Sequence, residues 1–173
     1  MKIVLLILAV LICVVLVAAI IGACLPRAHE ATRSAVFHRP PAELYAAVRD
    51  FAALPAWRHD LRGTELLPPR DGRACYREFS RHGAITYLVM EDKPAEKLTL
   101  KIANENLPFG GTWTFEFSSP GAGLGGVRIT ENGEVKNPLF RFLARFVFGY
   151  AGSMENYLRD LGRKSGETVA IEP

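Results

Sequence analysis

The chain has 173 residues, 49% of them hydrophobic, and 21 Lys and Arg against 18 Asp and Glu leave a formal charge of +3. That length accommodates one domain and an accessory element but not two full domains. The small positive charge is scattered, with no basic stripe interleaved with aromatics, which excludes a nucleic-acid footprint.

The accessory element comes first. Ile3 to Leu25 contains no charged residue, follows Lys2 and ends at Pro26-Arg27. As a helix it extends roughly 34 Å, enough to cross a hydrocarbon core about 30 Å thick, so a single-pass membrane anchor is expected. Two other readings compete. A cleaved signal peptide has an apolar region of about 7–15 residues, shorter than this one. Ile20-Ile21-Gly22-Ala23-Cys24 resembles a lipoprotein processing site, with Cys24 the lipidated residue. Positive charge lies on both sides, as Lys2 before the segment and Arg27, Arg33 and Arg39 after it, so the side of the membrane is undecided. Of three cysteines only Cys75 lies outside this segment, so no intradomain disulfide is expected.

Residues 26–31 read as a polar connector, 32–166 as the domain and 167–173 as a tail. Folding as a soluble unit is expected of a chain that begins near Ala31. Arg33 to His38 has the alternation of a first strand, which Pro40-Pro41 ends. Pro41 then starts a helix with Leu44, Tyr45 and Val48 on one face and Glu43 in its first turn. Phe51 to Trp57 is a short helical turn. From Arg62 the period becomes two, with strands at Gly63–Leu67, Arg73–Ser80, Ala84–Glu91, Lys97–Ala103, Thr112–Ser118 and Val127–Val135. Their connections are too short for crossover helices, so the sheet is an antiparallel meander and the class α+β. Trp113, Phe115 and Phe117 alternate with Thr112, Thr114 and Glu116, giving one apolar and one wet face.

One long amphipathic helix is expected from Asn137 to about Lys164. Leu139, Phe142, Leu143, Phe146, Tyr150, Met154, Tyr157, Leu158 and Leu161 recur at steps of three and four. Asn137 suits the N-cap and Pro138 the first turn. Gly149 and Gly152 interrupt the middle, which suggests a bend or a close backbone approach.

Val36-Phe37-His38-Arg39-Pro40-Pro41-Ala42-Glu43-Leu44-Tyr45, Val48-Arg49-Asp50 and Pro55-Ala56-Trp57 resemble the opening of SRPBCC domains, the superfamily of START lipid-binding domains and polyketide cyclases. Gly111-Thr112-Trp113, Phe115, Arg128 to Glu134 and Asn137-Pro138-Leu139-Phe140 resemble its closing half, and an N-terminal span resembles a membrane-anchored bacterial subgroup. The resemblance implies the helix-grip fold, an antiparallel sheet wrapped around a long C-terminal helix. It also implies a cavity between them for a hydrophobic small molecule or lipid, with Trp57, Tyr87, Leu100, Trp113, Phe115, Phe117, Phe142, Phe146, Tyr150 and Met154 as candidate lining. The same side chains suit a filled core.

A catalytic set is not evident. Gly121 to Gly126 fits a dinucleotide-binding pattern but lies between strands, where no helix receives a phosphate, and reads as a hairpin loop. His29, His38, His59 and His82 lack metal-ligand spacing, and neither a metal nor a cofactor is expected. His59-Asp60 is a weak acid–base candidate, because adjacent side chains rarely face each other. Cys75 reads as a small buried residue. Glu131 shares parity with Val127 and Ile129, so it could point inward, to hold a polar head or donate a proton with its pKa raised by burial; a strand end reaching water or a bulge that changes the phase is the alternative. Three functions follow: a membrane-tethered carrier of an apolar molecule, a polyketide cyclase- or hydrolase-like enzyme using Glu131, Tyr87 or His59, and an interaction module whose cavity is filled.

Overall fold

A computed structural model describes residues Met1–Pro173. Helix α1, Lys2–Cys24, is followed by β1, Ala28–Phe37, and α2, Pro41–Arg49, then a 3-10 turn at Leu54–Ala56. Six strands come next: β2, Leu61–Arg70; β3, Arg73–Ser80; β4, Gly83–Lys93; β5, Lys97–Ile102; β6, Phe109–Gly121; and β7, Leu124–Val135. The chain closes with α3, Pro138–Leu143, a π-helical turn at Ala144–Phe148, and α4, Gly152–Ser165. The strands form one antiparallel sheet in the order β1-β7-β6-β5-β4-β3-β2. This is the α+β helix-grip arrangement that the chain order implies.

Local chemistry explains the meander. Asp71 and Gly72 join β2 to β3 with φ of 52° and 72°, the tight primed turn that an Asp-Gly pair favours. Pro68 and Pro69, expected in the loop, lie instead within β2. They are tolerated because β2 is an edge strand, where a missing N–H breaks no second ladder. The other edge, β1, starts at Ala28 rather than Arg33. The supposed connector is therefore strand, with Ala28 opposite Glu134 and Ala31 opposite Glu131. Removing residues 1–30 would thus cut into the sheet. The tail is also ordered, since Ser34 and Glu172 exchange backbone hydrogen bonds of 2.9 Å.

The core lies between the inner sheet face and α4. Phe37, Leu98, Leu100, Phe115, Phe117, Val127 and Ile129 pack with Met154, Tyr157, Leu158 and Leu161, all buried. α2 and the 3-10 turn add Leu44, Val48, Phe51 and Leu54 at one end.

The expected continuous helix from Asn137 to Lys164 is corrected. It starts as read, with the Asn137 side chain accepting from the N–H groups of Leu139 at 2.9 Å and Phe140 at 3.2 Å. It then widens into the π turn and breaks at Gly149, where φ is 70° and ψ 174°. That conformation is essentially restricted to glycine. Gly152 restarts the helix, and a β-carbon there meets open space. The two glycines are therefore not equivalent. Gly149→Ala is expected to destabilise by about 1–3 kcal/mol, whereas Gly152→Ala is expected to stabilise by up to about 1 kcal/mol. Chemical denaturation of the two single variants measures both.

The break decides what α3 packs against. α3 lies beside the last turns of α1, where Gly22 abuts the Pro138 carbonyl and the Arg141 guanidinium donates to the Leu25 carbonyl at 2.7 Å. α1 is long and apolar enough to cross a membrane, and its side chains from Ile3 to Val17 are exposed.

Candidate functional site

The inner face of β4–β7 continues past the core into a cavity of about 420 Å³, bounded on the helix side by the π turn and the break. Ile85, Tyr87, Ile102 and Trp113 supply its sheet wall, and Ala144, Phe148 and Tyr150 its helical wall. It is open at a rim formed by Phe109, Phe140 and Phe148, which are 37%, 49% and 71% exposed. A depression of equal volume, about 420 Å³, lies between α2 and the end of α4, but it is a surface hollow edged by Arg39, Glu43, Asp50 and Lys164.

His29, Glu131, Glu134 and Ser153 interrupt the apolar lining, and the first two form a pair. His29 Nε2 lies 3.4 Å from Glu131 Oε1, with the side chains 12% and 21% exposed. Neighbouring strands place them: Ala31 is opposite Glu131 and His29 opposite Gly133. The absence of a side chain at Gly133 lets the imidazole lie across the sheet, since a β-carbon there would overlap the ring and approach Glu131 Oε1 to 3.0 Å. The other ring face stacks on Tyr150, with centroids 3.9 Å apart and planes at 20°. Burial raises the Glu131 carboxyl above its ordinary pKa, while the His29 charge and hydrogen bonds from His29 and Trp113 partly oppose that. His29 Nδ1 is buried without a partner, a polar atom left for a ligand.

Beyond Tyr87 the interior closes on a second polar cluster. Arg58 reaches Glu78 at 2.9 Å and Asp60 at 2.6 Å, and its guanidinium carbon sits 4.9 Å from the Tyr157 ring centroid. Tyr76 donates to Glu78 at 3.4 Å. Burial raises the phenols of Tyr76, Tyr87 and Tyr157, so they remain protonated at neutral pH and act as donors rather than bases.

The candidate residues separate into three groups. Tyr87, Trp113, Tyr150 and Glu131 meet in the cavity. Leu100, Phe115, Phe117 and Met154 belong to the packed core, and Trp57 packs edge-on against Tyr157 with its indole nitrogen buried and unpartnered. Phe142 and Phe146 leave the sheet altogether: their rings lie 5.0 Å apart, Phe142 faces α1, and Phe146 is 60% exposed. Helical phase is the reason: Phe140, Ala144 and Phe148 line the cavity at steps of four, which leaves Phe142 and Phe146 on the other side. His59 is outside the cavity and bonds Asp160 of α4 at 2.7 Å instead of Asp60. His59, Asp60 and Asp160 bring ligand atoms within 4.8 Å of one another, yet Arg58 binds Asp60 and Arg163 binds Asp160. A cation there would have to displace two guanidinium groups, so this set fits an ion-pair network better than a metal.

His29 was hidden by its assignment to a connector. Its signal was parity: Phe37, Ala35, Arg33, Ala31 and His29 lie on one face of β1, as steps of two require.

Trp113 is half-buried on the cavity wall, with its ring centroid 6.1 Å from that of Tyr157. Because its removal enlarges an existing space, Trp113→Ala is expected to cost less than the about 3–5 kcal/mol of a fully packed Trp. A urea titration reads the difference.

No protein of curated function matches the chain in sequence. Solved structures match its fold. A conserved protein from Geobacillus kaustophilus superimposes with a TM-score of 0.67 at 13% identity, covering 84% of this chain and 100% of that one. A START superfamily protein from Mycobacterium smegmatis gives 0.62 at 17%, covering 80% and 97%. The Zhui aromatase/cyclase from Streptomyces sp. R1128 gives 0.60 at 11%, covering 80% and 92%. At such identities the likeness establishes the SRPBCC fold alone. The family described as polyketide cyclase / dehydrase and lipid transport matches residues 28–165, from the first residue of β1 to the last of α4. With nearly the whole domain inside that match, the chain belongs to the polyketide cyclase / dehydrase and lipid transport family.

Proposed function

We propose that the protein is a membrane-anchored carrier for a hydrophobic small molecule or lipid with a small polar head. The observation that carries this reading is the half-open, largely apolar cavity with a part-buried polar pair, His29 and Glu131, at its wall. A hydroxyl head matches that pair, since it can donate to Glu131 and accept from His29. The apolar body would lie along Ile85, Ile102, Trp113 and Phe148. A cavity of about 420 Å³ is within the usual range for small-molecule sites.

Two features support α1 as a single-pass anchor rather than a cleaved leader or a core helix. Its apolar side chains have no protein to cover them, and its last turns pack on α3 through Gly22 and the Arg141–Leu25 hydrogen bond. The test is native mass spectrometry of the full chain extracted from membranes in mild detergent. Co-purification of a stoichiometric lipid that Trp113→Ala weakens is the expected result. A ligand-free protein that takes up no pyrene-labelled long-chain alcohol would overturn it.

An enzyme of the cyclase or hydrolase type is the second reading, favoured by the raised Glu131 carboxyl beside an imidazole. It requires turnover of the bound molecule that disappears in Glu131→Gln.

A further inference from the structure

The rim of the cavity and the root of the anchor are the same piece of structure. α3 packs on α1 where the apolar segment ends, Gly22 against Pro138 and Arg141 against the Leu25 carbonyl. From there the chain runs into the π turn, whose Phe146, Val147 and Phe148 are 60%, 60% and 71% exposed, and Phe140 on α3 is 49% exposed. These four large apolar side chains are largely exposed, Phe146 resting one edge on Phe142, and they lie beside the end of the apolar stretch of α1. Two of them, Phe140 and Phe148, also line the cavity.

A second hollow, of about 370 Å³, lies on the other side of Tyr150, lined by Leu25, Pro26, Ala28, His29, Glu30 and Arg145. Tyr150 and His29 line both spaces, so their stacked rings are the partition between the cavity and a groove at the foot of α1. Arg27 and Arg145, both exposed, flank that groove.

We propose that Phe140 and the π turn, Ala144–Phe148, insert into the membrane interface beside α1, so that the cavity opens directly onto the bilayer and its ligand enters without crossing water. The occupant of the exposed patch is a lipid surface, and continuity with α1 identifies it. If α1 spans a bilayer, side chains packed at its end are held at headgroup depth, where aromatic rings are favoured and cationic side chains meet lipid phosphates. The π turn ends at the Gly149 break, before α4 restarts at Gly152. This inference rests on the carrier reading of the cavity for its transfer step, but the insertion itself is independent of any ligand.

The experiment uses the full chain in vesicles of mixed phosphatidylcholine and phosphatidylglycerol. Phe146→Trp adds one reporter to the two native tryptophans. A blue-shifted emission, quenched by phospholipids brominated high on the acyl chain beyond the quenching of wild type, is expected. No additional quenching overturns the insertion. The transfer step is tested with the double variant Phe146→Asp, Val147→Asp, two exposed side chains outside the cavity lining, and a pyrene-labelled long-chain alcohol. Uptake from vesicles should slow by about tenfold or more, because carboxylates resist entry into the bilayer, while loading from detergent micelles is unchanged. Equal slowing from both sources, or none, overturns a membrane portal. Should the double variant fail to fold, the single Phe146→Asp, at a side chain already 60% exposed, decides by the same comparison. Failure of the carrier reading is distinguishable: wild type then loads from neither source, and the transfer step falls while the quenching still decides insertion.

Discussion

Arg58→Met is expected to destabilise the domain by about 3–5 kcal/mol, the loss seen when one partner of a buried ion pair is removed. Arg58 and Glu78 are 11% and 9% exposed, and the pair holds three elements together. Arg58 follows the 3-10 turn, Glu78 lies on β3, and Tyr157 beneath the guanidinium comes from α4. Without the cation, burial already pushes the Glu78 carboxyl up, and only a weak hydrogen bond from Tyr76 remains to hold its charge. The variant should therefore unfold well below the wild-type temperature at pH 7, as circular dichroism would show. Adding Glu78→Leu should recover much of the loss, because two apolar side chains leave no buried charge unpaired. A single variant within about 1 kcal/mol of wild type would show that the cluster is more hydrated than its burial indicates.

Glu131→Leu is expected to lower affinity for the pyrene-labelled long-chain alcohol by about 10- to 100-fold, equivalent to about 1.5–3 kcal/mol for a hydrogen bond to a charged group. Fluorescence titration of detergent-solubilised protein measures it. Glu131→Gln separates binding from stability. Burial raises the Glu131 carboxyl above the 4.5 of an exposed glutamate, so the folded state holds the proton more tightly than the unfolded chain. Its stabilising contribution is then complete below pH 4.5 and is lost as pH rises through the raised folded value. Replacement by Gln removes that loss, so the variant should melt higher than wild type at pH 7 and no higher at pH 4. A lower melting temperature at pH 7 would mean that the ion pair with His29 outweighs desolvation.

Much of the fold was legible because it is written in local rules. Strand periodicity placed all six strands of the meander, and Thr112 to Phe117 assigned β6 its buried and wet faces from alternation alone. Asn137-Pro138 marked a helix start that the side chain confirms by capping two N–H groups. For Glu131 parity left an inward direction open beside a bulge or a strand end at water, and the unshifted pairing of Trp113 with Glu131 is what keeps the inward phase. His29 obeyed the same rule, and only its polar neighbourhood disguised it as a connector.

What only the tertiary structure decided was which partner each apolar surface meets. The sequence determined a stripe from Leu139 to Leu161 at helical spacing, and that stripe is one periodic signal whether it covers one surface or two. Three-dimensional contact divides it: Met154, Tyr157, Leu158 and Leu161 face the sheet, whereas Phe142 faces α1 and Phe146 faces outward. Gly149 was visible as a weak point, but its positive φ, and hence a break rather than a bend, appears only in the structure. Likewise Arg58 and Glu78 are twenty positions apart, and no periodicity links them; the fold buries one against the other. Periodicity reports which side of an element is apolar; it carries no information about what lies opposite, because that is set by contacts between residues far apart in the chain.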